Sequence, residues 1–491
     1  MNAMKPFLVG DEWRSEGRGA LTSICPTDGS IVAEVAIASA QDVDDAVNAA
    51  RAAFELPAWR EMPSYKRAML LSKFASLIER DAHHLATIQT KDNGKPLKES
   101  LAQATAAAEF FRFFAAGAET LESSVVPSRG EYFGFTEYEP VGVVAAITPW
   151  NSPLTLEAQK LAPILAAGNA VVLKSSEVTP QIGLEYARLA LEAEFPPGIV
   201  NVVTGQGDVG RALVEHPGVD MITFTGGTKT GRNIAKAAGA RGVPVVLELG
   251  GKSPNVVFAD ANLEHALHGV MAGIFHNAGQ SCIAGSRVFI ERAIYHKFVE
   301  LLVKAVKTLV VGDPFDSRTD VASLSSFEHR DLVEAMLSTD SSIEVLCGGK
   351  RPFGEKYNVG AFFEPTVLAV ENDHPLAQQE IFGPVACVIP FDDEEQLVNL
   401  ANSTEFGLAC GVWTESFPKA LRMGRRIRSG MVWVNTYKIT AVNMPFGGVK
   451  ASGYGRECGI AGMRTYMAEK SYYVSTSRAP IPWPRSEMFA V

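Results

Sequence analysis

The sequence predicts an α/β protein: a doubly wound parallel sheet followed along the chain by a second α/β region. Three observations carry this. Between residues 141 and 251, five short β-branched runs alternate with four helical stretches, the pattern of parallel strands joined by crossover helices. Glycine-rich turns follow several of those runs, at the strand ends where such sheets bind ligands. At 491 residues the chain allows three units, at about 150 residues each.

In chain order, a short β start precedes a mostly helical stretch of about 120 residues. Residues 42–54 (DVDDAVNAARAAF) carry acids at the front of a helical period, which suits the helix dipole. Residues 64–81 and 101–121 continue in that style. Strands are predicted at 141–148, 169–174, 199–204, 221–225 and 243–249, with helices at 153–167, 179–194, 208–216 and 229–240 between them. A second α/β region spans 251–450, with strands at 286–290, 384–390, 408–413 and 431–435. The run 471–475 (SYYVS) is a lone terminal strand, which needs a partner sheet from its own chain or another. The last residues, 476–491, are proline-rich and lie beyond it.

Composition narrows the function classes. Hydrophobic residues at 47% and charged residues at 20% argue against a disordered or low-complexity chain. A net charge of −10 without a long basic run argues against nucleic-acid binding. The six cysteines include no C-x-x-C pair, so they read as reduced thiols in a cytoplasmic setting, not as disulfides or zinc ligands. The first residues show no apolar signal segment, and no run of ~18 apolar residues occurs, so no membrane span is expected. His265 and His268 have helical spacing without a third ligand nearby, so no metal site is expected.

Three glycine or polar loops are candidates for a dinucleotide. Gly205, Gly207 and Gly210 spell G-x-G-x-x-G, but Thr230 stands where an acid is expected. A tight turn and a cofactor loop both remain open there. Gly226–Gly231 (GGTKTG) joins a strand to a helix, where backbone amides can approach a phosphate. Lys174, Ser175, Ser176 and Glu177 follow another strand. An acid there can accept hydrogen bonds from ribose hydroxyls and would repel a 2′-phosphate; a solvated Lys/Glu pair is the alternative.

Five further segments stand together: Thr148-Pro149-Trp150-Asn151, Leu247 to Lys252 (LELGGK), Gly279-Gln280-Ser281-Cys282, Glu380 to Pro384 (EIFGP), and Pro445 to Gly448 (PFGG). In order and spacing, from near residue 7 to about 475, the chain resembles the NAD(P)-dependent aldehyde dehydrogenase superfamily, in its hydrolytic, non-acylating form. The resemblance implies an aldehyde dehydrogenase-like fold. It places a cofactor domain at 1–121 and 141–250, a catalytic domain at 251–450, and an oligomerisation element at 122–140 and 451–491. A homodimer or homotetramer is expected.

The resemblance also implies the roles. Cys282 is the nucleophile; a thiolate adds to an aldehyde carbon and gives a thiohemiacetal. Asn151, with the Cys282 backbone N–H, is the oxyanion donor. Glu248 is the base that activates water on the thioester, and its presence favours release of a free acid. The matching cofactor contacts are Ile147, Thr148, Pro149, Trp150, Lys174, Ser176, Glu177, Gly207, Gly210, Thr225, Gly226, Gly227, Thr230, Leu249, Glu380 and Phe382. Glu177 favours NAD over NADP. Ser175, Gly227 and Gln379 depart from the family's commoner proline, serine and second acid.

The substrate tunnel is matched by Ser152, Thr155, Gln159, Ser281, Ile283, Lys438, Thr440 and Phe446. This polar set points to a polar or carboxylate-bearing aldehyde, with Lys438 near its far end. Two competing readings are a cysteine hydrolase using His276 and a catalytically silent binding protein. Helical spacing between His276 and Cys282 would put them on different faces, and retention of the three catalytic residues opposes silence.

Overall fold

The computed structural model describes residues 4–339, 343–479 and 481. The expected tail therefore falls mostly outside the described residues. No helix of the described chain is long and apolar enough to cross a membrane.

The first sheet has eight strands, in the order Gly453–Tyr454, Val245–Glu248, Met221–Thr225, Val143–Ile147, Ala170–Lys174, Val200–Val203, Phe7–Val9, Glu12–Arg14. The five predicted strands form its parallel centre. Their side chains are almost wholly buried on both faces, as a sheet covered by crossover helices requires. Strand order reverses at Val143–Ile147, which opens a ligand crevice at its carboxyl end.

The crossover helices are Pro153–Ala166, Gln181–Glu192, Gly207–Glu215 and Thr228–Arg241. Before them, Ala40–Glu55 starts two residues earlier than its apolar period. Ser39 accepts from the Asp42 N–H and Asp42 accepts back from the Ser39 N–H, a reciprocal cap. Leu97–Thr120 likewise begins a turn early, directly after Pro96. Phe74 from Ser64–Arg80 meets Phe111 from Leu97–Thr120 at 4.4 Å between ring centres, so these helices share one core.

The second sheet runs Glu344–Cys347, Thr366–Ala369, Val385–Phe391, Arg287–Glu291, Pro254–Val257, Ala409–Trp413, Met431–Val434. It is parallel except for its first strand. A third, antiparallel sheet joins Met467–Ser475 to Tyr132–Pro140, with Val125–Val126 at its edge. The terminal strand thus finds its partner within its own chain, and Phe135 stacks on Tyr472 at 4.7 Å.

Residues 451–466, expected to belong with the oligomerisation element, go elsewhere. Gly453–Tyr454 pairs with Val245–Glu248 on the edge of the first sheet, and Gly459–Thr465 packs on the helices Leu97–Thr120 and Pro153–Ala166. The cause is chemical. Lys160 and Glu457 form an ion pair with both side chains out of water, and the backbone closes over it. A Cβ on Gly453, whose φ is +115°, would run into the Leu247 carbonyl, so only glycine permits this pairing.

Candidate active site

The nucleophile loop begins where the helix Leu263–Phe275 ends. Asn277, Ala278 and Gly279 have φ of +56°, +51° and +73°, which turns the chain sharply toward Cys282. For the two non-glycine residues this stores of order 1–3 kcal/mol each. A Cβ at Gly279 would meet the Gly383 carbonyl, so the thiol's loop lies directly against the loop carrying Glu380 and Phe382. Burial, helped by the nearby Glu380 and Glu248 carboxylates, pushes the Cys282 thiol up to about 12.

Asn151 lies in the turn between Val143–Ile147 and Pro153–Ala166 and is buried. Its Nδ2 donates to the Gln280 carbonyl at 3.0 Å, while Asn277 Nδ2 donates to the carbonyls of Asn151 (3.1 Å) and Gln280 (2.8 Å). The amide is therefore held against the segment that leads into Cys282.

Glu248 closes the strand Val245–Glu248 and is 3% exposed. Neither carboxylate oxygen has a hydrogen-bond partner. Burial, then the negative Glu457, hold its carboxyl well above the usual range, against the opposing Lys160 and Arg456. A buried acid without fixed partners fits an acid–base role better than a structural one.

Ile147, Thr148, Pro149, Trp150, Lys174, Ser176, Glu177, Gly207, Gly210, Thr225, Gly226, Gly227 and Thr230 line a single cavity of about 610 Å³ at the switch point of the first sheet. Lys174 Nζ pairs with Glu177 Oε2 at 3.0 Å on its floor. Arg211 and Asn233 also line it and had no sequence signal beyond helical spacing. The Gly205–Gly210 segment proves both a turn and a cavity wall: Gly205 is at φ +155° with Val209 against it, while Gly207 and Gly210 face the cavity.

Leu249, Glu380 and Phe382 lie apart from that cavity. Leu249 packs on Gly231, under the glycine loop. Glu380 Oε1 accepts from the Gly251 N–H at 2.8 Å, and burial pushes its carboxyl up to about 7. Phe382, at φ +56°, sets its ring edge-on to Trp150 with centres 5.2 Å apart. His329 Nε2 donates to the Phe382 carbonyl at 2.8 Å and its ring lies 5.1 Å from Trp150. Sequence reading missed His329, which lies 53 residues from its partner.

Ser152, Ser281 and Lys438 line a second cavity, of about 770 Å³. Thr155, Gln159, Ile283, Thr440 and Phe446 do not line it. Gln159 is turned away by a hydrogen bond to Glu457, and Phe446 pairs its backbone with Glu457. Lys95, Lys98, Glu99 and Gln103 line it instead. Lys95 follows Gly94, a left-handed helix stop at φ +74°, and is 2% exposed. Burial pulls Lys95 down to about 7, with Lys438 adding to the effect and Glu99 opposing it. Burial pulls Lys438 down to about 8, again against Glu99.

His276 sits past the helix end, so the helical-face argument against its pairing with Cys282 does not apply to the folded chain. The ring lines the larger cavity, and burial lowers its affinity for a proton. Among the described residues no three His, Cys, Asp or Glu side chains gather to hold a metal ion.

Comparison with known proteins agrees with this architecture. The aldehyde dehydrogenase family matches residues 13–472. Retinal dehydrogenase 2 of Rattus norvegicus and the mitochondrial aldehyde dehydrogenase of Homo sapiens are each 40% identical over 476 residues, covering 95% of this chain and 91% of theirs. A solved NAD⁺ complex of aldehyde dehydrogenase from Bacillus cereus superimposes with a TM-score of 0.94 at 38% identity, covering 97% of both chains. With Cys282 half-buried, and Asn151 and Glu248 buried, the chain that carries them belongs to the aldehyde dehydrogenase family.

Proposed function

We propose that the protein oxidises a polar or carboxylate-bearing aldehyde to its carboxylic acid, with NAD as acceptor, through covalent intermediates on Cys282. One observation carries the reading. Ser281, next to the thiol, lines the larger cavity together with Lys95 and Lys438, while Thr148-Pro149-Trp150, next to the amide, line the glycine-rich one. The thiol thus lies between a place for an aldehyde and a place for a dinucleotide.

The glycine-rich cavity fits NAD on its own terms. Gly227 precedes the helix Thr228–Arg241 and has open space where a side chain would stand, so phosphates can reach the helix N-terminus. Glu177 offers a carboxylate to ribose hydroxyls and opposes a 2′-phosphate. Bound there, NAD supplies the hydride acceptor that converts the thiohemiacetal to a thioester.

The chain's own groups do the rest. Cys282 Sγ, once deprotonated, adds to the aldehyde carbon. The developing alkoxide falls to Asn151 Nδ2 and the Cys282 N–H, donors whose removal typically costs ~10²–10³ in rate. Glu248 takes a proton from water as that water attacks the thioester. The acid then leaves, and Cys282 and Glu248 return to their starting states. The three-stranded sheet, with Val125, Phe133 and Val474 exposed on one face, supplies the face on which copies of this chain assemble.

The test is NADH formation by wild type and Cys282→Ala on aliphatic, aromatic and carboxylate-bearing aldehydes, with NADP in parallel. Turnover is expected with NAD, fastest on the carboxylate-bearing set, and absent in the variant. Turnover that survives loss of the thiol overturns the covalent route.

A further inference from the structure

Two lysines line the larger cavity, Lys95 buried and Lys438 half-buried. Lys95 has its ammonium almost entirely out of water. Its Nζ donates to Ser152 Oγ at 2.8 Å, Gln103 Nε2 donates to the same oxygen at 3.1 Å, and Ser152 Oγ donates to the Asn151 carbonyl at 2.7 Å. The ammonium is therefore fixed one hydroxyl away from the proposed oxyanion donor. Two of its three N–H groups have no protein acceptor among the described residues. Lys438 lines the same cavity. Its backbone is held at φ +58°, between the buried Tyr437 and an Ile439 carbonyl bonded to Trp433 Nε1 at 2.7 Å. Neither ammonium has a carboxylate within ion-pair distance among the described residues.

Buried ammonium groups are retained only where something compensates them. Glu99, on the same cavity wall, supplies part of the balance to both. An anion in the cavity would supply the rest and hold both groups in their charged form. Ser281, next to the thiol, lines the same cavity as both lysines, so an anion held here and a carbon at the thiol fit one short chain.

We infer that Lys95 and Lys438 form a two-ammonium clamp for the far carboxylate of a short ω-oxo acid, with Ser152 and Gln103 fixing the first ammonium. This deepens the carboxylate-bearing reading and rests on it. Lys95 is the new element: one lysine at a tunnel mouth attracts an anion, whereas two lining the same cavity orient it. The clamp sets specificity; the bond-making steps stay with Cys282, Asn151 and Glu248.

The experiment measures kcat/KM for succinic and glutaric semialdehydes against butanal and pentanal, in wild type, Lys95→Met and Lys438→Met. Each substitution is expected to lower the preference for semialdehyde over alkanal about 10- to 100-fold, the range of a lost charge-assisted hydrogen bond. A folded variant that loses activity equally on both aldehydes overturns the clamp; a wild-type preference for semialdehydes would then leave the carboxylate reading standing. Wild type that prefers the alkanals overturns both. If Lys95→Met does not fold, Lys438→Met and succinate inhibition of wild type decide. Succinate inhibiting no better than butanoate overturns the clamp.

Discussion

Both Cys282 and Glu248 hold their protons more tightly than free side chains do, because burial disfavours thiolate and carboxylate alike. In the proposed mechanism the reactive form of each is the deprotonated one. With raised pKa values their populations grow as pH rises, so kcat/KM should climb from mildly acidic to mildly alkaline pH. In Glu248→Gln, stopped-flow measurement should show a first-turnover burst of NADH followed by a steady state ~10²–10⁴-fold slower. Burst and steady state falling together would place Glu248 on the thiol and not on water. These two residues and Asn151 were legible in short motifs, since each lies among neighbours that fix its backbone. Lys95, Gln103 and His329 were not. Their meaning comes from contacts across 57, 49 and 53 residues, and no local pattern carries such a contact. The one usable signal was Gly94-Lys95-Pro96, a lysine pinned between a helix stop and a helix start.

At the scale of elements, the helix Pro153–Ala166 is anchored through its middle. Lys160 Nζ binds Glu457 and, at 2.8 Å, Thr223 Oγ1. This joins the crossover helix, the strand Met221–Thr225 and the returning segment before Gly459–Thr465. Lys160→Met leaves a buried carboxylate without its cation and should cost ~3–5 kcal/mol, read as a lower denaturant midpoint. The double variant Lys160→Met/Glu457→Met should recover part of that loss. If the double variant is no more stable than the single one, the ion pair is not the tether. The elements themselves were legible from periodicity, and the five central strands needed only trimming at their ends. Helix starts were misplaced where the cap is Ser39 with Asp42, or Pro96, because capping lies outside the apolar period. Gly453–Tyr454 left no trace as a strand, since two residues cannot show an alternation.

For the whole molecule, the third sheet carries the exposed apolar surface that an isolated chain would leave in water. Val125, Phe133 and Val474 are 68%, 46% and 51% exposed, and strand pairing puts them on one face of that sheet. Contiguous apolar faces of this kind mark contact sites. Wild type should scatter light as a dimer or tetramer, and Phe133→Asp/Val474→Asp should lower that mass. An unchanged mass would remove this sheet as the assembly face. The division into two large sheets was legible, whereas the way one segment serves both was not, because it depends on which partner the chain finds after leaving the catalytic half.

That returning segment also sets a timetable. On the ribosome the chain emerges from its amino end, and Glu248 emerges long before Gly453–Tyr454, the strand that borders it. At about 5–20 residues per second the interval is on the order of ten to forty seconds. Through that interval the sheet edge beside Glu248 is open, and Glu457 has not yet reached Lys160. A nascent chain therefore exposes Cys282 before Glu248 is walled in, and the proposed mechanism has turnover begin only once the segment from Gly453 to Glu457 has docked.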